Sequence, residues 1–182
     1  SKELKKYPLS TLEQKQIHLE RGQKALRDYY SQITTERIEK IQFVEYPIIV
    51  SEKDYTFKGI IDRIDKNEDG TYSIIDYKTG SPKTKSAICL DGKKEDYFIQ
   101  IALYKYFFEK YSNCKVRDVN LVFVESKDNN LNFELVQAEL EAALEKFHNA
   151  INRIKNHEFE PNYNKEVCKY CKFKDFCHLE VL

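Results

Sequence analysis

Hydrophobic positions recur along the chain with two periods. Over residues 11–39, Leu12, Ile17, Leu26, Tyr29, Tyr30, Ile33 and Ile38 stand at helical spacing among many charges, which predicts one or two surface helices covering a sheet. "KIQFVEYPIIV" (40–50) is β-branched and aromatic and reads as a strand; Pro47, lacking an N–H for the ladder, puts it at an edge or a bulge. Two more strands flank Asp69-Gly70, a hairpin turn signal, within "GIIDRIDKNEDGTYSIIDYKTG" (59–80). "EDYFIQIALYKYFFEKYS" (95–112) carries a broad aromatic stripe at helical spacing. Strands follow near "DVNLVFVES" and "NLNFELVQ", and a long helix over about 138–156 closes the core.

This order predicts an α/β fold with a central mixed β-sheet of about five strands flanked by helices, ending in a Cys-rich C-terminal tail over 165–182. A length of 182 residues suits one domain spanning 1–182. Hydrophobic residues at 41% exclude a disordered chain, while 33% charged residues and a mean hydropathy of −0.66 exclude a membrane protein. No apolar run approaches the roughly 20 residues that cross a bilayer, and no charged-then-apolar leader opens the chain, so an intracellular, cytoplasmic location is expected. The sequence contains no Met, as expected of a domain cut from a longer polypeptide.

The charges inside the 59–80 hairpin change the picture. Side chains alternate faces along a strand, so Ile60, Asp62 and Ile64 are expected on one side, and Ile61, Arg63 and Asp65 on the other. Asp76 and Lys78 are likewise cofacial with Ile74. With the turn near Asp69, opposed positions sum to 138, and Asp62 meets Asp76. Opposed Cβ atoms lie about 4.5 to 5.5 Å apart, close enough for two carboxylates to repel and raise one another's pKa. A hard divalent cation such as Mg²⁺ offsets that repulsion and leaves room for a phosphate. Lys78 beside it could lower the pKa of a bound water or neutralise charge building on a phosphoryl group, which is phosphodiester hydrolysis chemistry. The plain alternative is a half-exposed hairpin with a cross-strand ion pair. Arg63 and Asp65 are expected to form a structural pair facing away.

Cysteines add a second piece of chemistry. Cys168, Cys171 and Cys177 follow C-x₂-C-x₅-C, a spacing that suits thiolates converging on one metal centre. Cys89 and Cys114 read as ordinary free thiols, and His148 and His157 as solvated positions. Thirty basic residues balance thirty acidic ones, so any attraction to nucleic acid must come from local clusters, for which Lys58, Lys83, Lys85, Lys93 and Lys94 are the candidates.

Taken together, "GIIDRID" followed by "DYKTG" resembles the core of the PD-(D/E)XK nuclease superfamily, specifically its RecB-type branch. Gln100 and Tyr104 in "QIALY" match that branch's Gln-x-x-x-Tyr helix motif at i, i+4 spacing, and "CKYCKFKDFC" is similar to its C-terminal cysteine cluster. The matches run in order from about residue 40 to 178.

The resemblance implies a restriction-endonuclease-like core acting on DNA with Mg²⁺ or Mn²⁺, exonucleolytic rather than endonucleolytic, within a helicase-nuclease of recombination and repair. The rest of the parent polypeptide, a helicase region or a helicase subunit, is then the expected partner. It implies that Asp62, Asp76 and the Tyr77 carbonyl hold the metal, that Lys78 is catalytic, and that Gln100 and Tyr104 steady the site and the strand. Glu45 stands where similar proteins often carry an acidic residue on the preceding strand, although an exposed strand Glu is the ordinary alternative. The three tail cysteines would join a distant N-terminal Cys around a [4Fe–4S] cluster, or bind Zn²⁺ with another fourth ligand. One motif departs: similar domains commonly carry a metal-ligating His after a Gly on an N-terminal helix, and here His18 precedes Gly22. That departure motivates a rival, a non-catalytic DNA-binding or scaffolding module of the same fold. A third reading, a zinc-stapled interaction domain, leaves the hairpin charges unexplained.

Overall fold

Alternating apolar residues and strong turn chemistry build a sheet whose centre is the hairpin. The computed structural model describes residues 11–33, 38–126, 130–160, 168–169 and 171–172. Along the chain come α1 (Leu12–Tyr30), β1 (Ile41–Ser51), β2 (Thr56–Lys66), β3 (Tyr72–Lys78), a 3₁₀ turn (Lys85–Ala87), α2 (Glu95–Ser112), β4 (Val116–Phe123), β5 (Leu131–Phe133) and α3 (Gln137–Lys155). The chain divides into two compact units, Ser1–Glu145 and Lys146–Leu182, and the whole sheet belongs to the first. None of the described helices is long and apolar enough to cross a membrane.

The sheet has the order β1-β2-β3-β4-β5. β3 and β4 are parallel and the other neighbours antiparallel, so the sheet is mixed as expected. A parallel pair needs a crossover, and α2 supplies it. β1 is an edge strand, which accommodates Pro47 opposite Ile60. The β2–β3 hairpin closes through Gly70 at φ 81, a left-handed conformation that glycine adopts without a Cβ clash. The Asp69 carboxylate accepts the Thr71 N–H at 3.0 Å. α2 ends at Asn113 in the left-handed region, φ 57, and α1 begins at Thr11, whose hydroxyl accepts the Gln14 N–H.

One sheet face packs against α2. Ile64 and Ile74, directly paired, are fully buried, as are Val119 and Leu121 on β4. Phe107 of α2 stacks on Phe57 at 4.4 Å, and Phe108 meets Tyr72 edge-on at 5.7 Å. The opposite face is polar. Arg63 grips Asp65 with two hydrogen bonds of 2.6 and 2.5 Å, the structural pair expected from the sequence. Asn67, Arg117, Asp118, Asn120 and Asn132 continue that face as a connected hydrogen-bond chain. α1 reaches it through Tyr29, whose hydroxyl lies 2.7 Å from that of Tyr77.

Strict alternation along β2 fails. Ile60 is 57% exposed whereas Ile61 is fully buried, so Ile60 does not share a face with Asp62 and Ile64 as expected. Phe57 reaches α2 through Phe107, and Gly59 abuts Tyr104. Residues 57, 59 and 61 therefore alternate onto the α2 side, and the pattern restarts at Asp62. The cause lies in the neighbouring strand. Pairing runs Val44↔Arg63 and Tyr46↔Ile61, leaving out Glu45 opposite Asp62, and Glu45 takes φ 49. A non-glycine residue in the left-handed region costs about 1–2 kcal/mol, and here it buys a kink shared by both strands at the position of Asp62.

Candidate active site

The hairpin ladder ends one residue short of Asp62 and Asp76, so the expected opposed pair does not form as ladder partners, although the Asp62 charge still acts on Asp76. The register predicted from the turn holds as Ile64↔Ile74 and Arg63↔Ile75, and then the strands part. Asp62 fills the gap: its Oδ2 accepts the Tyr77 N–H at 2.8 Å, taking the place of a strand carbonyl. Asp76 points into the α2 side and is 3% exposed.

Lys78, two residues on and on the same face, places Nζ 2.7 Å from Asp76 Oδ2 as an ion pair. The ammonium sits directly against this buried oxygen, which has no other polar partner among the described residues. Burial pushes the Asp76 carboxyl above the ordinary carboxylate range. The Lys78 ammonium pulls the other way, and the neighbouring Asp62 charge adds to the rise.

The same Lys78 Nζ donates to Gln100 Oε1 at 2.7 Å, and Gln100 Nε2 donates to the Tyr104 hydroxyl at 3.1 Å. One continuous chain thus runs from Asp76 through Lys78 and Gln100 to Tyr104, with the last two on adjacent turns of α2. Tyr104 is 7% exposed, so its ring is packed and its hydroxyl faces the chain.

Two residues to which the sequence reading gave no role belong to this arrangement. Tyr97, one turn before Gln100, lays its ring under the Lys78 ammonium at 4.6 Å, and Lys94 approaches the same ring at 5.5 Å. Its signal was the i, i+3 spacing to Gln100, which an ordinary core stripe shares. Gly59 of β2 abuts Tyr104. It opens the "GIIDRID" stretch, but the sequence assigns it no role of its own.

Glu45 is exposed on β1 at the skipped position opposite Asp62. Of the lysines singled out as a local basic cluster, Lys94 adjoins the site through Tyr97, and Lys58 borders a recess beside Gln100 and Tyr104. Lys85 lies instead over Phe133, at 5.4 Å. His18, His148 and His157 are exposed.

The donor set fits a hard divalent cation in one respect: Asp62 lies near enough for its charge to act on Asp76, and Asp76 holds a buried oxygen whose partner is the Lys78 ammonium. Among the described residues no group of three His, Cys, Asp or Glu side chains gathers as a ligand set. In the tail, the Cys171 N–H donates to the Cys168 carbonyl at 3.2 Å, a tight turn between two partly buried cysteines. Cys177, and most of the tail assigned to 165–182, lie outside the described residues.

A family model described as the PD-(D/E)XK nuclease superfamily matches residues 2–178. Among solved structures, a candidate exonuclease from Eubacterium rectale is 18% identical with a TM-score of 0.52, the match covering 87% of this chain and 61% of that one. The structure of SSO0001 is 20% identical with a TM-score of 0.44, covering 77% of this chain and 61% of the other. The chain therefore spans 61% of the length of these solved structures. No curated protein is similar enough to count as a match. The five-stranded mixed sheet flanked by three helices is a restriction-endonuclease-like fold.

Proposed function

Because this chain belongs to the PD-(D/E)XK nuclease superfamily, we propose that it is a metal-dependent deoxyribonuclease domain of the RecB type, hydrolysing phosphodiester bonds in DNA. The observation that carries the reading is the part-buried chain Asp76–Lys78–Gln100–Tyr104, with a second carboxylate, Asp62, close enough to Asp76 for its charge to act there. A structural ion pair needs no second carboxylate beside it.

In this reading Asp62, Asp76 and the Tyr77 carbonyl would hold Mg²⁺ or Mn²⁺, which supplies Lewis-acid activation of water and neutralises phosphate charge. Glu45, opposite Asp62, is the candidate for a further carboxylate. Lys78 places a fixed positive charge where negative charge develops on the phosphoryl oxygens, and a charge fixed before reaction needs no reorganisation. Gln100 orients that ammonium, and Tyr104 orients Gln100. Tyr97 gives the ammonium a flat electron-rich floor.

The finer features belong to the same proposal. Cleavage proceeds from DNA ends. The whole chain works as one nuclease-like domain of a longer DNA-processing protein, of the helicase-nuclease kind active in recombination and repair. Cys168, Cys171 and Cys177 hold an iron–sulfur cluster or Zn²⁺ that staples the tail. The test is incubation of end-labelled DNA with Mg²⁺, Mn²⁺ or chelator. Release of mononucleotides or short products only with metal supports the reading, and metal-independent cleavage or none under any condition counts against it.

One observation favours a second reading, a non-catalytic DNA-binding module of the same fold: no third carboxylate or His joins Asp62 and Asp76 among the described residues. Salt-sensitive DNA binding without cleavage at any metal concentration would select it.

A further inference from the structure

Glycine in a strand interior weakens the strand, because it has no side chain to pack and more freedom to lose. Gly59 sits in the interior of β2, three residues before Asp62, paired with Ile48 of β1. Its backbone is not in the left-handed region, so any residue could adopt it. Conformational freedom therefore does not explain the glycine.

Space does. A Cβ at Gly59 would fall 3.0 Å from Tyr104 Cε1 and 3.3 Å from the Phe57 ring, closer than packed carbon atoms sit. The ring edge that meets bare backbone belongs to the residue whose hydroxyl accepts the Gln100 amide at 3.1 Å, while Gln100 in turn accepts from Lys78 at 2.7 Å.

We propose that Gly59 is a positioning residue for the reaction: its missing side chain lets Tyr104 seat against β2, so that Tyr104, acting through Gln100, holds the Lys78 ammonium against Asp76. The proposal rests on the nuclease reading above. An added methyl group has somewhere to push the ring. Gly59 and Tyr104 both border a recess of about 320 Å³ that Phe57, Ile99 and Leu103 also line, space that lets the ring shift without unfolding the domain. The Gln100–Tyr104 bond has little slack, since hydrogen bonds from N–H to oxygen weaken beyond about 3.2 Å. A shift of a few tenths of an ångström therefore reaches Lys78 through two short bonds.

The experiment compares Gly59→Ala, Tyr104→Phe and the double variant by steady-state DNA cleavage and by the side-chain ¹H–¹⁵N signal of Lys78, assigned by its absence in Lys78→Ala. The expected result is a kcat loss on the order of tenfold in Gly59→Ala with KM within about twofold, the penalty of a slightly misplaced catalytic group. A similar loss is expected in Tyr104→Phe, with none further in the double variant and a displaced Lys78 signal in both single variants. Wild-type kcat in folded Gly59→Ala, or losses that multiply in the double variant, would overturn the proposal. If Gly59→Ala does not fold, Tyr104→Phe decides, because it adds no bulk: unchanged kcat with an unchanged Lys78 signal overturns the relay. If the wild type cleaves no DNA, the nuclease reading fails on its own. The Lys78 signal then still tests the relay, its displacement in both variants supporting it and its constancy refuting it.

Discussion

Asp76→Asn separates the cost of the candidate site from its use. The substitution keeps the side chain's shape at a position 3% exposed and removes a carboxylate 2.7 Å from Lys78 and next to Asp62. Two terms oppose each other. Losing the partner of a partly buried ammonium destabilises, whereas removing a desolvated charge beside a second carboxylate stabilises. The direction of the Asp76 shift sets the sign: the carboxyl lies above the ordinary carboxylate range even with Lys78 present, so burial and Asp62 together outweigh the ammonium and disfavour the charged form relative to water.

A raised folded-state pKa means that metal-free stability is greatest with Asp76 protonated and falls as pH rises from the ordinary 3.8 through the raised value. Metal-free Asp76→Asn should therefore be at least as stable as the wild type at neutral pH, and it should lack that component of the pH dependence. Added Mn²⁺ reverses the order. At a concentration 100 times Kd a ligand contributes about 2.7 kcal/mol. For a chain of this size each 1 kcal/mol moves Tm by about 2–4 °C, so the wild type should gain about 5–11 °C and Asp76→Asn almost none. Scanning calorimetry across Mn²⁺ concentration and pH reads both effects. An equal Mn²⁺-induced rise in the two proteins, or metal-free Asp76→Asn melting well below the wild type, would refute the reasoning.

Two further predictions concern the frame around the site. Phe107→Ala empties a position 1% exposed that stacks on Phe57, and should cost about 3–5 kcal/mol in chemical denaturation; a loss under 1 kcal/mol would show that α2 does not anchor the sheet. Arg63→Met should cost about 3–5 kcal/mol by leaving the Asp65 carboxylate without its bidentate partner, while Mn²⁺ affinity stays unchanged because the pair lies on the opposite sheet face; a changed affinity would contradict that separation.

Element order, sheet type and hairpin register were legible because each follows from local signals: Asp69-Gly70 fixes the turn, and alternating Ile residues fix the face from Ile64 and Ile74 outward. The convergence of Lys78, Gln100 and Tyr104 was legible only through resemblance, since side chains on a strand and a helix more than twenty positions apart carry no periodicity that joins them. Alternation failed at Ile61 and Asp62 because the kink is a property of two strands together. Glu45 must turn left-handed opposite Asp62, and neither residue alone signals it. The roles of Tyr97 and Gly59 stayed hidden for a related reason. An aromatic at core spacing and a glycine in a strand have ordinary explanations until a neighbouring element is laid against them.

The most direct measurement of the central claim compares Lys78→Met with the wild type in single-turnover DNA cleavage, with Mn²⁺ and DNA affinities determined on the same preparations. If Lys78 acts on charge that develops only in the transition state, the variant should bind Mn²⁺ and DNA within a few-fold of the wild type while cleavage slows by about 10²–10³. Metal-dependent cleavage at the wild-type rate in Lys78→Met would contradict the account and return the Asp76–Lys78 pair to a structural role.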